Sequence, residues 1–130
     1  MSAVTENEIA KHIVDAAFRI HTSLGPGLLE SVYEAVMAQE LTQRGLHTER
    51  QQAFPVVWQN VHLETGFRVD LMVENKVIVE IKSVEAIAPV HKKQLLTYLR
   101  LANKRLGILI NFDGDLIKDG IARVVNGLAE

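Results

Sequence analysis

Three charged residues on two strand-like segments could do chemistry together: Asp70, Glu80 and Lys82. Phe67, Val69, Leu71 and Val73 alternate with Arg68, Asp70 and Met72; after Asn75, Val77, Val79 and Ile81 alternate with Ile78, Glu80 and Lys82. Two period-two segments around a turn read as a β-hairpin. Glu80 and Lys82 are two apart and share a face. An odd-length loop centred on Asn75 sets Asp70 opposite Glu80, with Cβ atoms about 4.5–5.5 Å apart. A two-residue loop sends Asp70 to the other face. The odd loop is favoured because it aligns Val69, Leu71 and Val73 with Val77, Val79 and Ile81. Facing carboxylates repel, and if partly buried one must protonate or a cation must sit between them. Mg2+ suits such a pair, since it takes one or two carboxylates and fills its shell with waters and phosphate oxygens. A lysine beside it can orient a water or offset charge building on a phosphate. The plain alternative is a pair of cross-strand salt bridges, Lys82 with Glu80 and Asp70 with Arg68 or Lys76.

Placing those residues requires a sheet, and the chain is long enough for one. Its 130 residues fit a single domain spanning residues 1–130. The hydrophobic share of 48% and charged share of 23% are those of an ordinary globular protein, which excludes a disordered tail. Sixteen acids against 14 Lys/Arg give a net charge of -2, which excludes a wholesale nucleic-acid coat. There is no cysteine, so disulfide scaffolds, thiolate zinc sites and cysteine nucleophiles are excluded, and a cytoplasmic setting is expected. The polar, acidic start is not a signal peptide, and no apolar run approaches the roughly 20 residues of a membrane span.

Helical spacing of Ile9, Ile13, Ala16, Ala17 and Ile20 predicts a helix from about Glu6 to Thr22, with Thr5 as N-cap and Glu8 completing the box. Gly25-Pro26-Gly27 ends it. A second helix is expected from Leu28 to about Arg44, stopped by Gly45; with Gly27 as N-cap, Glu30 falls in the third helical position, where an acid complements the dipole. Phe54–Trp58 is a strand candidate. Pro89 opens a helix from about Val90 to Asn103, and the wholly apolar Leu106–Ile110 reads as a central strand. Residues 117–128 fit a short helix or a strand plus turn. The order ααβββαβ plus a tail predicts an α/β (α+β) domain, a mixed sheet with helices on its faces.

Other residues add weaker signals. Gln94 and Tyr98 share a helix face. Between Ala86 and Phe112 there are five Lys/Arg (Lys92, Lys93, Arg100, Lys104, Arg105) and no acid, while the first forty residues hold six acids and two Lys/Arg. That basic segment suits a phosphate backbone, or it balances the acidic helices within the fold or across a dimer. Only Tyr98 interleaves with the basic residues, so no base-stacking platform is expected. His21 reads as a core or supporting hydrogen-bonder. His12, His47, His62 and His91 lack paired ligand spacing, so zinc is not expected.

The run His21-Thr-Ser-Leu24-Gly25-Pro26-Gly27-Leu28-Leu29-Glu30-Ser-Val-Tyr33 resembles the signature of the GxxExxY protein family, spelled by Gly27, Glu30 and Tyr33. That family resembles the PD-(D/E)XK nuclease superfamily. Arg68-Val-Asp70, Val79-Glu80-Ile81-Lys82, Gln94, Tyr98, Gly107-Ile-Leu-Ile-Asn111-Phe112 and Lys118-Asp119-Gly120-Ile121 agree with it. The resemblance covers about Ile9 to Asn126. It implies a restriction-endonuclease-like αβββαβ core, a four-stranded mixed sheet flanked by helices, with an extra N-terminal helix. It also implies a metal-dependent nuclease hydrolysing DNA or RNA, DNA ahead of RNA. Asp70 and Glu80 would then hold Mg2+ or Mn2+, with the Ile81 carbonyl as third ligand and Glu30 as the helix acid that completes the site. Lys82 would be the motif lysine. His21, Tyr33, Gln94, Tyr98, Lys92 and Lys93 would be auxiliary or substrate-binding. The superfamily's proline before the motif aspartate is replaced by Val69. A homodimer is compatible with the resemblance. The competing readings are a non-catalytic module that keeps the nuclease fold to bind nucleic acid or protein, and a dimerisation module with a salt-bridged hairpin.

Overall fold

The computed structural model describes residues 4–129. Its elements are α1 (Glu6–Leu24), α2 (Glu30–Gln43), β1 (Thr48–Trp58), β2 (Val61–Val73), β3 (Val77–Lys82), α3 (Pro89–Ala102), β4 (Leu106–Asn111), a 3-10 turn (Ile117–Gly120) and β5 (Ile121–Val125). One five-stranded sheet runs in the order β1-β2-β3-β4-β5. β3 and β4 are parallel and the other neighbours antiparallel. α3 makes the crossover that a parallel pair needs. The sheet thus has one strand more than the four expected. The fifth is the tail, where the alternating Ile121–Val125 pairs with β4. Gly120 makes that turn feasible: a Cβ there would stand 2.3 Å from the Asn111 carbonyl oxygen.

Helices α1 and α2 cover one face, burying Ile9, Ile13, Tyr33, Met37 and Leu41 against Leu71, Val79, Ile81, Ile110 and Phe112. α3 covers the other, where Leu95 and Leu99 meet Val69, Met72, Ile78 and Leu109. The first helix starts as expected, the Thr5 hydroxyl accepting from the Glu8 amide at 3.2 Å. The second starts later. Leu29, not Gly27, is its N-cap, and Glu30 is its first helical residue. Gly27 is needed in the turn instead, at φ 102°.

The hairpin has the odd loop: Leu71↔Val79, Met72↔Ile78 and Val73↔Val77 are opposite. One expectation fails. Val69 does not continue the face of Leu71 and Val73; it packs with Met72 on the α3 side. The strand turns over at Asp70. β1 turns over beside it: Arg50 pairs with Leu71 and Gln52 with Val69, while Gln51, at φ 52°, and Asp70 drop out of the ladder together. The register is the same on both sides of this point, so the two residues leave the ladder as a pair; the register shift between these strands lies farther along, between Phe54 and Val56.

Candidate metal centre

Asp70 and Glu80 meet where β2 and β3 part. Regular pairing stops at Leu71↔Val79, and beyond it the two carboxylates take over as rungs. Glu80 Oε2 accepts from the Asp70 amide at 2.7 Å, and Asp70 Oδ2 accepts from the Ile81 amide at 2.8 Å. Each carboxylate therefore has one oxygen anchored to the opposite strand. In a strand, the N–H and C=O of one residue face the same neighbour, so the Ile81 carbonyl is directed to the side of Asp70.

The electrostatics are unfavourable as they stand. Glu80 is only 5% exposed. Burial first, and then the charge of Asp70, pushes its carboxyl up to about 7. Asp70 is also raised, chiefly by burial, with the Ile81 amide working against the shift and the charge of Glu34 adding to it. The salt-bridge alternative is not what forms. None of Lys82, Arg68 or Lys76 makes an ion pair with either acid: Arg68 donates to the Gln51 carbonyl at 3.3 Å and Lys76 to the Val4 carbonyl. Lys82, half-buried, lowers both carboxyls through its charge alone.

The helix acid whose charge reaches the pair is Glu34, which the sequence analysis does not single out. It is buried; Arg50 Nε donates to its Oε2 at 3.0 Å and Gln51 Nε2 to its Oε1 at 2.6 Å. The same Gln51 nitrogen reaches Asp70 Oδ1 at 3.3 Å. A signal existed: Glu34, Ala38 and Leu41 lie at i, i+4 and i+7, one buried stripe. Glu30 instead accepts from the Ser83 amide at 2.9 Å, one residue past Lys82. No group of three or more His, Cys, Asp or Glu able to hold a metal occurs among the described residues. The donor set is two carboxylates with a neighbouring backbone carbonyl. That fits an ion content with few protein ligands, such as Mg2+. Such an ion would offset the mutual repulsion of this buried acid pair.

The remaining candidates divide into supports and surface. Tyr33 is fully buried, so it offers no hydroxyl to a substrate. Its O–H donates to the Gly25 carbonyl at 2.5 Å and accepts from the Leu28 amide at 3.2 Å, and its ring stacks on Phe112 at 4.3 Å. It staples the Gly-Pro-Gly turn that precedes Glu30. Tyr33→Phe should cost about 1–2 kcal/mol, because two backbone groups lose their partner; denaturant unfolding checks this. His21 Nε2–H donates to the Gly114 carbonyl at 2.8 Å, tying α1 to the loop after β4. Asn111, given no role in the sequence analysis, is buried and clamps both backbone groups of Val84. Tyr98 lies beside the acids: its hydroxyl pKa is raised by burial and by the charges of Glu80 and Asp70. It stacks on Phe67 at 4.5 Å, and Phe67 on Phe54 at 5.3 Å, an aromatic column that sequence spacing did not reveal. Gln94, Lys92 and Lys93 are exposed on α3.

A family model described as the PD-(D/E)XK nuclease superfamily matches residues 7–124. Among solved structures, the chain is similar to SSO0001, with TM-score 0.58 and 18% identity over 98% of this chain and 72% of that one. It is also similar to LHK-Exo, an alkaline exonuclease from Laribacter hongkongensis, with TM-score 0.49 and 12% identity over 96% of this chain and 72% of that one. No curated protein matches the chain. The likeness to SSO0001 establishes the shared fold.

Proposed function

Because the chain belongs to the PD-(D/E)XK nuclease superfamily, we propose that it is a divalent-metal-dependent phosphodiesterase that hydrolyses nucleic acid, DNA ahead of RNA. The observation that carries this reading is the buried, mutually repelling pair Asp70 and Glu80, each with one oxygen fixed by a backbone amide of the opposite strand. Asp70, Glu80 and the Ile81 carbonyl would hold Mg2+ or Mn2+. Bound there, the ion would lower the pKa of a water and polarise a phosphodiester oxygen.

This chain's own residues do the rest. Lys82 stands two residues past Glu80 on the same strand, with no ion pair to occupy it. It orients the attacking water and offsets negative charge as it grows on the phosphate. Glu30 fixes Ser83 and so the strand end that carries Lys82. Glu34, through Gln51, holds Asp70 where it has left the ladder. Lys92 and Lys93 on the first turns of α3 contact the phosphate backbone without reading sequence.

The test is cleavage of labelled single-stranded, duplex and branched DNA, and of RNA, with Mn2+, alongside Mn2+ binding. Wild type should bind the ion and cut at least one substrate. Asp70→Asn should bind at least tenfold more weakly, because a charged ligand becomes neutral, and should not cut. Metal binding without cleavage of any substrate would favour the non-catalytic module. Neither binding nor cleavage would remove the metal reading.

A further inference from the structure

Arg68 stands two residues before Asp70, yet it pairs with no acid. Phe67 and Val69 pack toward α3, so Arg68 between them points to the other side of the sheet, where α2 lies. The residue opposite it is Ala53, whose methyl group shields little, and Arg68 is exposed. One bond holds it: its Nη1 donates to the Gln51 carbonyl at 3.3 Å. A guanidinium has five N–H donors, and the others of Arg68 make no hydrogen bond among the described residues. Gln51 has a left-handed backbone, at φ 52°. That conformation is costly for a residue other than glycine and persists where its surroundings require it. Here both ends of Gln51 are in use. Its carbonyl holds Arg68, while its side-chain nitrogen reaches Glu34 Oε1 at 2.6 Å and Asp70 Oδ1 at 3.3 Å. One residue therefore ties a cation to the acid site and keeps it from neutralising the acids.

We propose that Arg68 binds a phosphodiester group of the substrate strand, next to the one that is cut. The inference rests on the phosphodiesterase reading and adds a substrate contact to that site. Arginine grips a phosphate through two parallel N–H bonds, which needs a free edge of the guanidinium. An arginine spent on Asp70 or Glu34 would offer neither the edge nor the charge. Arg68 is held by a neutral carbonyl and keeps both. Its place along the strand also suits a neighbouring phosphate. Two residues of β2 separate it from Asp70, about 6–7 Å at the usual rise of a strand. That is comparable with the step between successive phosphates of an extended polynucleotide. A strand with one phosphate at the acids thus brings the next to Arg68.

The experiment measures binding of a fluorescent single-stranded oligonucleotide by the full chain over a range of salt, with Ca2+ present. Cleavage of the same strand is followed with Mn2+. Arg68→Gln and Arg68→Lys are compared with Lys11→Gln, which removes a cation from the first half of α1, the end beside Lys76 rather than the acids. Residue 68 is exposed, so both of its variants should unfold at the wild-type temperature. Arg68→Gln should bind about tenfold more weakly, the scale of a lost charged hydrogen bond. Its slope of log affinity against log salt should be shallower by about 0.7, the signature of one phosphate contact. Arg68→Lys should restore the slope, because the charge returns. Lys11→Gln should change neither quantity. An Arg68 that merely shapes Gln51 would give weaker binding at an unchanged slope, and this result would overturn the proposal. A wild type that binds no oligonucleotide, or a Lys11→Gln that loses as much as Arg68→Gln, would overturn it too. If the slope changes as expected but no variant or wild type cuts, the phosphodiesterase reading fails and the phosphate contact stands. If wild type cuts and Arg68→Gln binds like it, the contact alone fails.

Discussion

Lys82→Ala should lower the rate of metal-dependent cleavage by about a hundredfold to a thousandfold, the usual cost of removing one transition-state charge stabiliser. Its affinity for Mn2+ should not weaken. The contrast with Asp70→Asn follows from where the side chains end. Asp70 and Glu80 donate oxygens to the proposed ion and are tied to the opposite strand. Lys82 makes no ion pair, and its charge reaches both carboxyls only through space. Removing a cation beside a metal site relieves repulsion of the incoming ion, so the two readouts move apart. Mn2+ titration calorimetry and single-turnover cleavage on the same samples check this. A Lys82→Ala enzyme within twofold of wild type would refute the role given to Lys82.

Without metal, Glu80→Gln should make the protein more stable at pH 8, by about 3 kcal/mol. That is roughly 10 °C in unfolding temperature for a domain of this size. The sign follows from the proton. The folded protein holds the Glu80 proton up to about 7, against a usual value of 4.5. Between those values the native state binds more protons than the unfolded chain, so wild-type stability falls as pH rises through this window and levels off above it. Asp70, raised for the same first cause of burial, acts in the same direction. The glutamine stays neutral and can keep the bond from the Asp70 amide, so the two proteins should lie within about 1 kcal/mol of each other at pH 5 and diverge toward pH 8. Mn2+ at a hundred times its dissociation constant should stabilise wild type by about 3 kcal/mol and close the gap at pH 8, while a variant that binds the ion weakly gains less. Urea unfolding from pH 5 to 8, with and without Mn2+, measures all of this. A difference between the proteins that does not change with pH would rule the account out.

Much of this arrangement was legible in the chain because it rests on periodicity. The alternation on either side of Asn75 favours the odd loop over the two-residue one, and the odd loop forms, with Asp70 beside Glu80. The Thr5 cap, the Gly45 stop and the apolar Leu106–Ile110 strand were equally readable. What escaped has no local signature. Gln51 adopts a left-handed backbone that glycine would normally announce. The turn-over at Asp70 breaks the alternation only in three dimensions, so Val69 was assigned to the wrong face. The outer part of the β1–β2 hairpin beyond residues 54–58 escapes because Val61 and Leu63 alternate with His62 and Glu64 over only four residues, all of them exposed. Glu34 was passed over because Glu30 sits in the recognisable motif, although burial selects the acid one turn later.

The two side-chain rungs have a consequence for lineages that carry this fold. Asp70 and Glu80 hold β2 and β3 together at the point where the backbone ladder gives out. A descendant that had abandoned hydrolysis would still be selected to keep them, or amide-like replacements of the same shape, for the sake of its folded strands. Lys82 makes no such bond, and nothing structural would preserve it. In a genome survey, then, the shape of these two side chains tracks the architecture, while under the proposed function their charge and the lysine track the chemistry. A relative with both acids intact and the lysine gone is the one to suspect of silence.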